Sequence, residues 1–306
     1  KKEPTADLKE IKPTTVSVPV EKENASRDIS NVAPKKKAKN QSETLGETID
    51  SKSATKKTKK KKKKKSSNSA RTLYIANANT SPFAYVEAYK ALRTNISFIA
   101  SADDVNSLVL TSAIPKESKS NVAVNLAVQL SNAGKKVILV DCDLRKPVLH
   151  TYLKLGRHRN GLSDVLVGNA KLVDCIVNFK DVKISFLPAG TIPPNPTEML
   201  SSEKMSKLVN VLKENYDFVI LDAPPISVVT DAAIVGHYVD GALLVVRSKF
   251  APTETVQLAK KKLTDLDIKI FGVILTRYNA KKSTKNSAYS YTYGYGYGYG
   301  YGYGDD

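Results

Sequence analysis

The sequence predicts an α/β fold, a mostly parallel sheet flanked by helices on both faces. Three observations predict it. From about residue 107, short Val/Ile/Leu-rich runs alternate with longer amphipathic stretches of helical period, the order that builds a parallel sheet crossed by helices. The runs are apolar at nearly every position rather than at every second one, which suits strands covered on both faces. The residues able to do chemistry fall just after the runs, where sheets of this kind bind ligands.

Taken in order, strands are expected at 108–111, 136–141, 183–187, 218–222, 241–246 and 270–275. Helices fill the gaps at 121–131, 161–167, 203–215, 231–237 and 254–266, with Ser202 and Thr253 as candidate N-caps. A strand, helix, strand order throughout implies right-handed crossovers. The functional residues then gather at the carboxyl ends of the strands.

These elements lie in residues 71–280 of a 306-residue chain of net charge +18, and both ends differ in kind. Residues 1–70 hold 20 Lys/Arg against 9 Asp/Glu and no Trp, Tyr or Phe, so they cannot bury a core and are expected to be a disordered Lys-rich segment. Residues 281–306 are a Tyr/Gly-rich tail, also expected to be disordered. The remainder suits one domain better than two. No apolar run approaches the roughly 20 residues that cross a bilayer. No signal peptide is expected, and a start on Lys1 rather than Met reads as a fragment or processed chain, with room for an anchor upstream. Cys142 and Cys175 have no metal-type spacing, and His150, His158 and His237 do not add one, which points to a reducing compartment and no metal cluster.

After the first strand comes Thr111-Ser112-Ala113-Ile114-Pro115-Lys116-Glu117-Ser118-Lys119-Ser120, followed at once by a helix. A Lys-Ser pair there suits phosphate: the lysine reaches the β and γ phosphates from an exposed loop, the hydroxyl ligates Mg²⁺, and the helix N-terminus offers N–H groups. Ala113, Lys116 and Ser118 stand where such loops carry Gly. A lone Lys-Ser is commonly just a helix start. The second strand delivers Asp141-Cys142-Asp143-Leu144-Arg145-Lys146-Pro147, a carboxylate pair that can hold a metal or accept a proton, although one strand-end Asp alone is commonly a turn residue. The strand at 218–222 ends in Asp222-Ala223-Pro224-Pro225, an arrangement that orders Mg²⁺ through water. Three such sites in this order are a poor fit to coincidence.

These residues, with Gly190-Thr-Ile-Pro-Pro-Asn-Pro196, the terminal tyrosines and Glu87-Ala-Tyr-Lys90-Ala-Leu-Arg93 before the first strand, resemble the bacterial tyrosine kinases. This family comprises P-loop NTPases of the MinD/ParA-like branch, autokinases that accompany capsular and exopolysaccharide export. The resemblance covers about residues 80–280. It implies ATP and Mg²⁺ as cofactors and a nucleotide loop of Lys116, Glu117, Ser118, Lys119, Ser120 and Asn121. It further implies Lys119, Asp141 and Asp143 in catalysis and Ser120, Asp141 and Asp222 on the metal. Glu87, Lys90 and Arg93 match an oligomerisation helix, with Lys90 in place of an Arg; an ordinary solvated i, i+3 pair is the other reading. Tyr289, Tyr291, Tyr293, Tyr295, Tyr297, Tyr299, Tyr301 and Tyr303 become autophosphorylation sites, used in trans. The implied partners are other copies in a ring, a membrane activator of the polysaccharide co-polymerase type, separate or fused upstream, and a tyrosine phosphatase. The implied location is cytoplasmic, at the inner face of the plasma membrane. Lys116 and Ser118 in glycine positions cost roughly 1–2 kcal/mol each if forced to positive φ.

The tail could instead be an edge strand with its aromatics on one face, but Gly at alternate positions makes that entropically poor. Nine lysines in residues 56–65 read as a solvated linker or a contact with an anionic membrane, about 1 kcal/mol per Lys. Without interleaved aromatics or a reader fold, no specific nucleic-acid binding is expected. Two alternatives to an autokinase stay open: a catalytically weakened nucleotide-binding scaffold, and a MinD/ParA-like positioning ATPase. The second class resembles a loop with a signature Lys where Ile114 stands here.

Overall fold

A computed structural model describes residues 15–16, 75–76, 81–155 and 159–278. The tyrosine tail, the lysine run and most of the N-terminal 70 residues, with the disorder expected of them, lie outside the described residues.

In chain order the elements are β1 (Thr15–Val16), α1 (Phe83–Asp103), β2 (Ser107–Ser112), α2 (Lys119–Asn132), β3 (Val137–Asp141), α3 (Leu149–Tyr152), α4 (Leu162–Val167), α5 (Leu172–Cys175), β4 (Val177–Phe179), β5 (Ile184–Leu187), α6 (Pro196–Leu200), α7 (Glu203–Asn215), β6 (Phe218–Asp222), α8 (Asp231–Gly236), β7 (Gly241–Arg247), α9 (Thr253–Thr264) and β8 (Ile270–Thr276). Among the described residues the strands form one sheet in the order β1-β4-β5-β3-β6-β2-β7-β8. Every neighbouring pair is parallel except β4 and β5.

The six expected strands each match an observed one within a residue at either end. The strand, helix, strand order does not hold throughout: β4 is a three-residue strand running antiparallel to β5, too short to give a period. Within the Lys-rich segment, Thr15–Val16 pairs with β4. Ser202 caps α7, its hydroxyl accepting from Met205 N. Thr253 is not a cap; Pro252, at φ −58, takes that place, and its carbonyl accepts from Thr255 and Val256 N, since a ring-fixed φ already suits a helix entrance. Helix α2 begins at Lys119, two residues before the expected start.

Alternating residues of each central strand feed two separate cores. Val109, Ile138, Val140, Val219, Leu221 and Leu244 pack with α7, α8 and α9 through Leu208, Val209, Val235 and Leu263. Leu108, Leu110, Leu139, Ile220 and Leu243 face α1 and α2 through Ile96, Val122, Leu126 and Leu130. Each fully buried Leu, Ile or Val contributes about 1.5–3 kcal/mol relative to exposure, so neither face can turn to water. That two-sided burial is why the strand sequences are continuously apolar. At the sheet edge, β8 leaves Val273 and Leu275 exposed. No helix among the described residues is long and apolar enough to cross a membrane.

Candidate active site

Between β2 and α2 the chain folds tightly. Lys116 and Ser118 both adopt positive φ, 72° and 70°, so the backbone keeps the geometry that glycine would favour without the glycines. Glu117, between them, is buried and braces the turn: its carboxylate accepts from Ile114 N at 2.9 Å and from Arg247 N, at the end of β7, at 3.1 Å. Thr276 Oγ1, at the end of β8, donates to Glu117 O at 2.9 Å. The loop is thus tied to two strands from the far half of the chain. The resemblance groups Glu117 with the nucleotide loop, and its side chain is given to this bracing.

Strands β3 and β6 are in-register neighbours, and Asp141 lies opposite Asp222. Both carboxylates are 1% exposed. Lys119, from the first turn of α2, reaches across so that Nζ lies 2.5 Å from Asp222 Oδ1 and 3.4 Å from Ser120 Oγ. Lys119 is therefore not on an exposed loop as the sequence suggests; it is 8% exposed and ion-paired. Burial pushes the Asp141 carboxyl well up from its ordinary value, and the charges of Asp222 and Asp143 push it further. Burial raises Asp222 too, with Lys119 opposing the shift. Asp143 is only partly buried; its N–H donates to Asp141 Oδ1 at 3.2 Å and its Oδ1 accepts from Lys146 N at 3.0 Å. Cys142, between them, is buried, and its thiol is pushed well up by burial and by Asp141 and Asp222, so it is no nucleophile.

Asp141 Oδ2 is buried with no hydrogen-bond partner, a costly state for an acceptor. Among the described residues no group of three or more His, Cys, Asp or Glu forms a metal cage. Mg²⁺ does not need one: it keeps several waters and takes one or two carboxylates beside phosphate oxygens. A buried carboxylate pair with an orphaned oxygen and a nearby hydroxyl fits that ion.

Other expected residues are placed differently. Asn121 turns away from the loop: its Oδ1 accepts from Tyr85 and Tyr89 hydroxyls on α1, both at 3.1 Å. Its side chain therefore links α1 to α2, because the aromatic face of α1 packs there. Glu87 and Lys90 pair with each other at 2.7 Å, the ordinary i, i+3 arrangement. Two constellations escaped the sequence reading. Arg145 donates through Nε to Asp231 Oδ2 at 2.7 Å and through Nη2 to Thr197 Oγ1 at 2.6 Å, joining the segment after β3 to α6 and α8. Asp164 accepts from Gly161 N, Thr191 N and Thr191 Oγ1, pinning the Gly190–Thr191 turn. Gly190 has φ 84°, and a Cβ there would stand 2.4 Å from Asp164 Oδ2. The Gly-Thr of the 190–196 motif was the signal for this second cluster; nothing in the sequence pairs Arg145 with Asp231.

A parallel sheet with a Lys-Ser loop entering a helix and strand-end aspartates defines a P-loop NTPase, and comparison with known proteins agrees. The AAA domain family matches residues 117–280. The tyrosine-protein kinase YwqD of Bacillus subtilis is 41% identical over 203 residues, covering 66% of this chain and 84% of that protein. Tyrosine-protein kinase Wzc of Salmonella typhimurium is 36% identical over 190 residues, 62% of this chain but 26% of Wzc. Among solved structures, the kinase domain of Escherichia coli tyrosine kinase ETK superposes with a TM-score of 0.60 at 33% identity, covering 63% of this chain and 77% of that one. The septum site-determining protein MinD of Pyrococcus horikoshii, complexed with Mg-ADP, gives 0.50 at 28% identity over 57% of this chain and 71% of that one. The chain belongs to the bacterial tyrosine-protein kinase family, on a MinD-like P-loop fold.

Proposed function

We propose that this tyrosine kinase uses ATP to phosphorylate the tail tyrosines, 289 to 303, of a neighbouring copy, and that this reaction regulates capsular or exopolysaccharide synthesis and export. The observation that carries the reading is the meeting of Lys119, Asp141 and Asp222 at the carboxyl ends of adjacent strands. The left-handed backbone at Lys116 and Ser118 favours a working phosphate loop over a weakened scaffold, since the shape survives without glycine.

Bound Mg²⁺–ATP supplies the phosphoryl group and a divalent charge that offsets negative charge developing during transfer. The first turn of α2 directs its free N–H groups toward an anion in the loop. Lys119 places a positive charge on the phosphates, and its pairing with Asp222 keeps the ammonium aimed into the site. Ser120, Asp141 and Asp222 hold the metal, which satisfies the orphaned Asp141 oxygen. A tyrosine hydroxyl, of pKa about 10, needs an acceptor for its proton. Asp141 and Asp143 serve that need or steady the metal, and Asp143 is the one more open to solvent. Most of the barrier reduction comes from positioning and charge neutralisation.

The assembly uses α1, where Glu87, Lys90 and Arg93 meet a second copy in a ring. A membrane activator of the polysaccharide co-polymerase type holds the assembly at the inner face of the plasma membrane, and a tyrosine phosphatase resets it. In this reading residues 71–280 are the kinase domain and 281–306 the substrate.

The test is Lys119→Met, incubated with Mg-ATP and mapped for phosphotyrosine by mass spectrometry. The variant should lose tail phosphorylation. Because Lys119 also neutralises buried Asp222, it should melt at lower temperature, and adding Asp222→Asn should restore melting without restoring activity. Normal phosphorylation in Lys119→Met would sink the assignment.

A further inference from the structure

The amino ends of the strands carry a second polar feature, remote from the candidate active site. A cavity of about 340 Å³ is lined by Ser131, Asn132, Gly134, Lys135, Lys136 and Lys183. The topology builds it. Strands β3 and β5 are parallel neighbours, so Lys136, just before β3, and Lys183, just before β5, come side by side, and the turn leaving α2 passes over them. Ser131 Oγ donates to Lys183 O at 2.7 Å and ties the two walls. Gly134, at φ 84°, has nothing within 4 Å of where a Cβ would stand, so the turn opens the concavity instead of filling it.

Three exposed lysines and no acidic residue line this space. Among the described residues none of the three forms an ion pair, although seven other basic side chains do. Lys136 Nζ lies 5.0 Å from the centre of the Tyr216 ring. Asp217 accepts from the Lys136 backbone N–H at 2.7 Å. Like charges gathered around one concavity repel one another, and a multivalent anion relieves that repulsion. Helix α2, 14 residues and so about 21 Å long, separates this cavity from Lys119.

We propose that this cavity binds the phosphate of a phosphorylated tail tyrosine, from the same chain or a second copy. The inference rests on the kinase reading, which makes such a ligand. Each phosphotyrosine brings about −1.5 to −2 charges and three acceptor oxygens. Tyr289 to Tyr303 lie 11 to 25 positions beyond Tyr278, a maximal reach of about 36–90 Å. A bilayer is the poorer occupant, because a flat array of headgroups meets a protruding basic patch better than a concavity. Capture here keeps product tails from returning to the catalytic carboxylates.

The experiment uses a labelled Tyr-Gly-Tyr-Gly-Tyr-Gly-Asp-Asp peptide, synthesised with and without phosphate, titrated by fluorescence anisotropy into the full chain at saturating Mg-ADP and about 0.15 M salt. The phosphopeptide should bind and the plain peptide should not. Lys135→Gln with Lys183→Gln should weaken phosphopeptide binding about tenfold, while replacing Lys59 to Lys65 by Ser should change it far less. Unaltered affinity in the Gln variant, or loss confined to the Ser variant, would overturn the proposal. So would a Gln variant that loses phosphatidylglycerol vesicles but keeps the phosphopeptide. Because the peptide is made synthetically, a failed kinase reading would appear separately, as absent phosphotyrosine after incubation with Mg-ATP.

Discussion

Replacing Lys116 and Ser118 together by Gly tests whether the loop is shaped by its ligand or by its own protein. Both positions hold positive φ, 72° and 70°, which costs an L-residue roughly 1–2 kcal/mol. Glycine removes that cost but loses about 0.4–1 kcal/mol through the entropy of the unfolded chain, leaving a net gain near 0.5–1 kcal/mol per position. Two positions give about 1–2 kcal/mol, which for a domain of this size raises Tm by roughly 2–8 °C. The Glu117 carboxylate, held by Ile114 and Arg247 N–H groups, fixes the turn by contacts internal to the protein. The relief should therefore appear as stability rather than affinity. ATP binding should stay level or weaken, since Lys116 is an exposed cation beside the loop and is lost. Differential scanning calorimetry and titration of ATP in the presence of Mg²⁺ measure the two quantities. A double variant with unchanged or lower Tm and tighter ATP binding would refute the reasoning and show that the strain is imposed by binding.

Asp164→Ala should cost about 2–3 kcal/mol, because it strands the Gly161 and Thr191 N–H groups, and a chemical denaturation midpoint would record it. Burial by itself would raise the Asp164 carboxyl, but its hydrogen bonds from Gly161 and Thr191 outweigh burial and hold it below the ordinary 3.8. A depressed folded-state value contributes stability that is full above 3.8 and lost as pH falls through the lowered value; the Ala variant should lose that slope, and an unchanged acid-unfolding curve would count against the assignment. Glu87→Ala with Arg93→Ala should reduce both oligomer mass by light scattering and the rate of tail phosphorylation; a fully assembled variant would remove α1 from the interface.

Much of the sheet was legible because burial on both faces leaves a continuous apolar signature, and strands 218–222 and 241–246 needed nothing else. Lys119, Asp141, Asp143 and Asp222 were legible as a group because parallel strands deliver their carboxyl ends to one edge, so residues just after each strand must meet. The three-residue β4 was not, since three residues carry no period. The partners of the Asn121 side chain were not legible for a different reason: a polar residue at the head of a helix looks the same whether it faces a ligand or two tyrosine hydroxyls from α1.

The sequence by itself determined the alternation of elements, the two cores and the set of charged groups at the functional edge, all of which are local patterns of polarity. Only the tertiary structure decided which charges are paired and which backbone groups are held. Lys119 finds Asp222 across 103 residues, Arg145 finds Asp231 across 86, and Glu117 finds the Arg247 N–H across 130. Backbone donors are identical in every non-proline residue, and one carboxylate suits many cations, so neither the brace nor the pairs leave a mark in the sequence. They exist because the sheet brings β2, β3, β6 and β7 together at one end, where burial makes an unpaired group costly and leaves only Asp141 Oδ2, among the groups described there, without a hydrogen-bond partner.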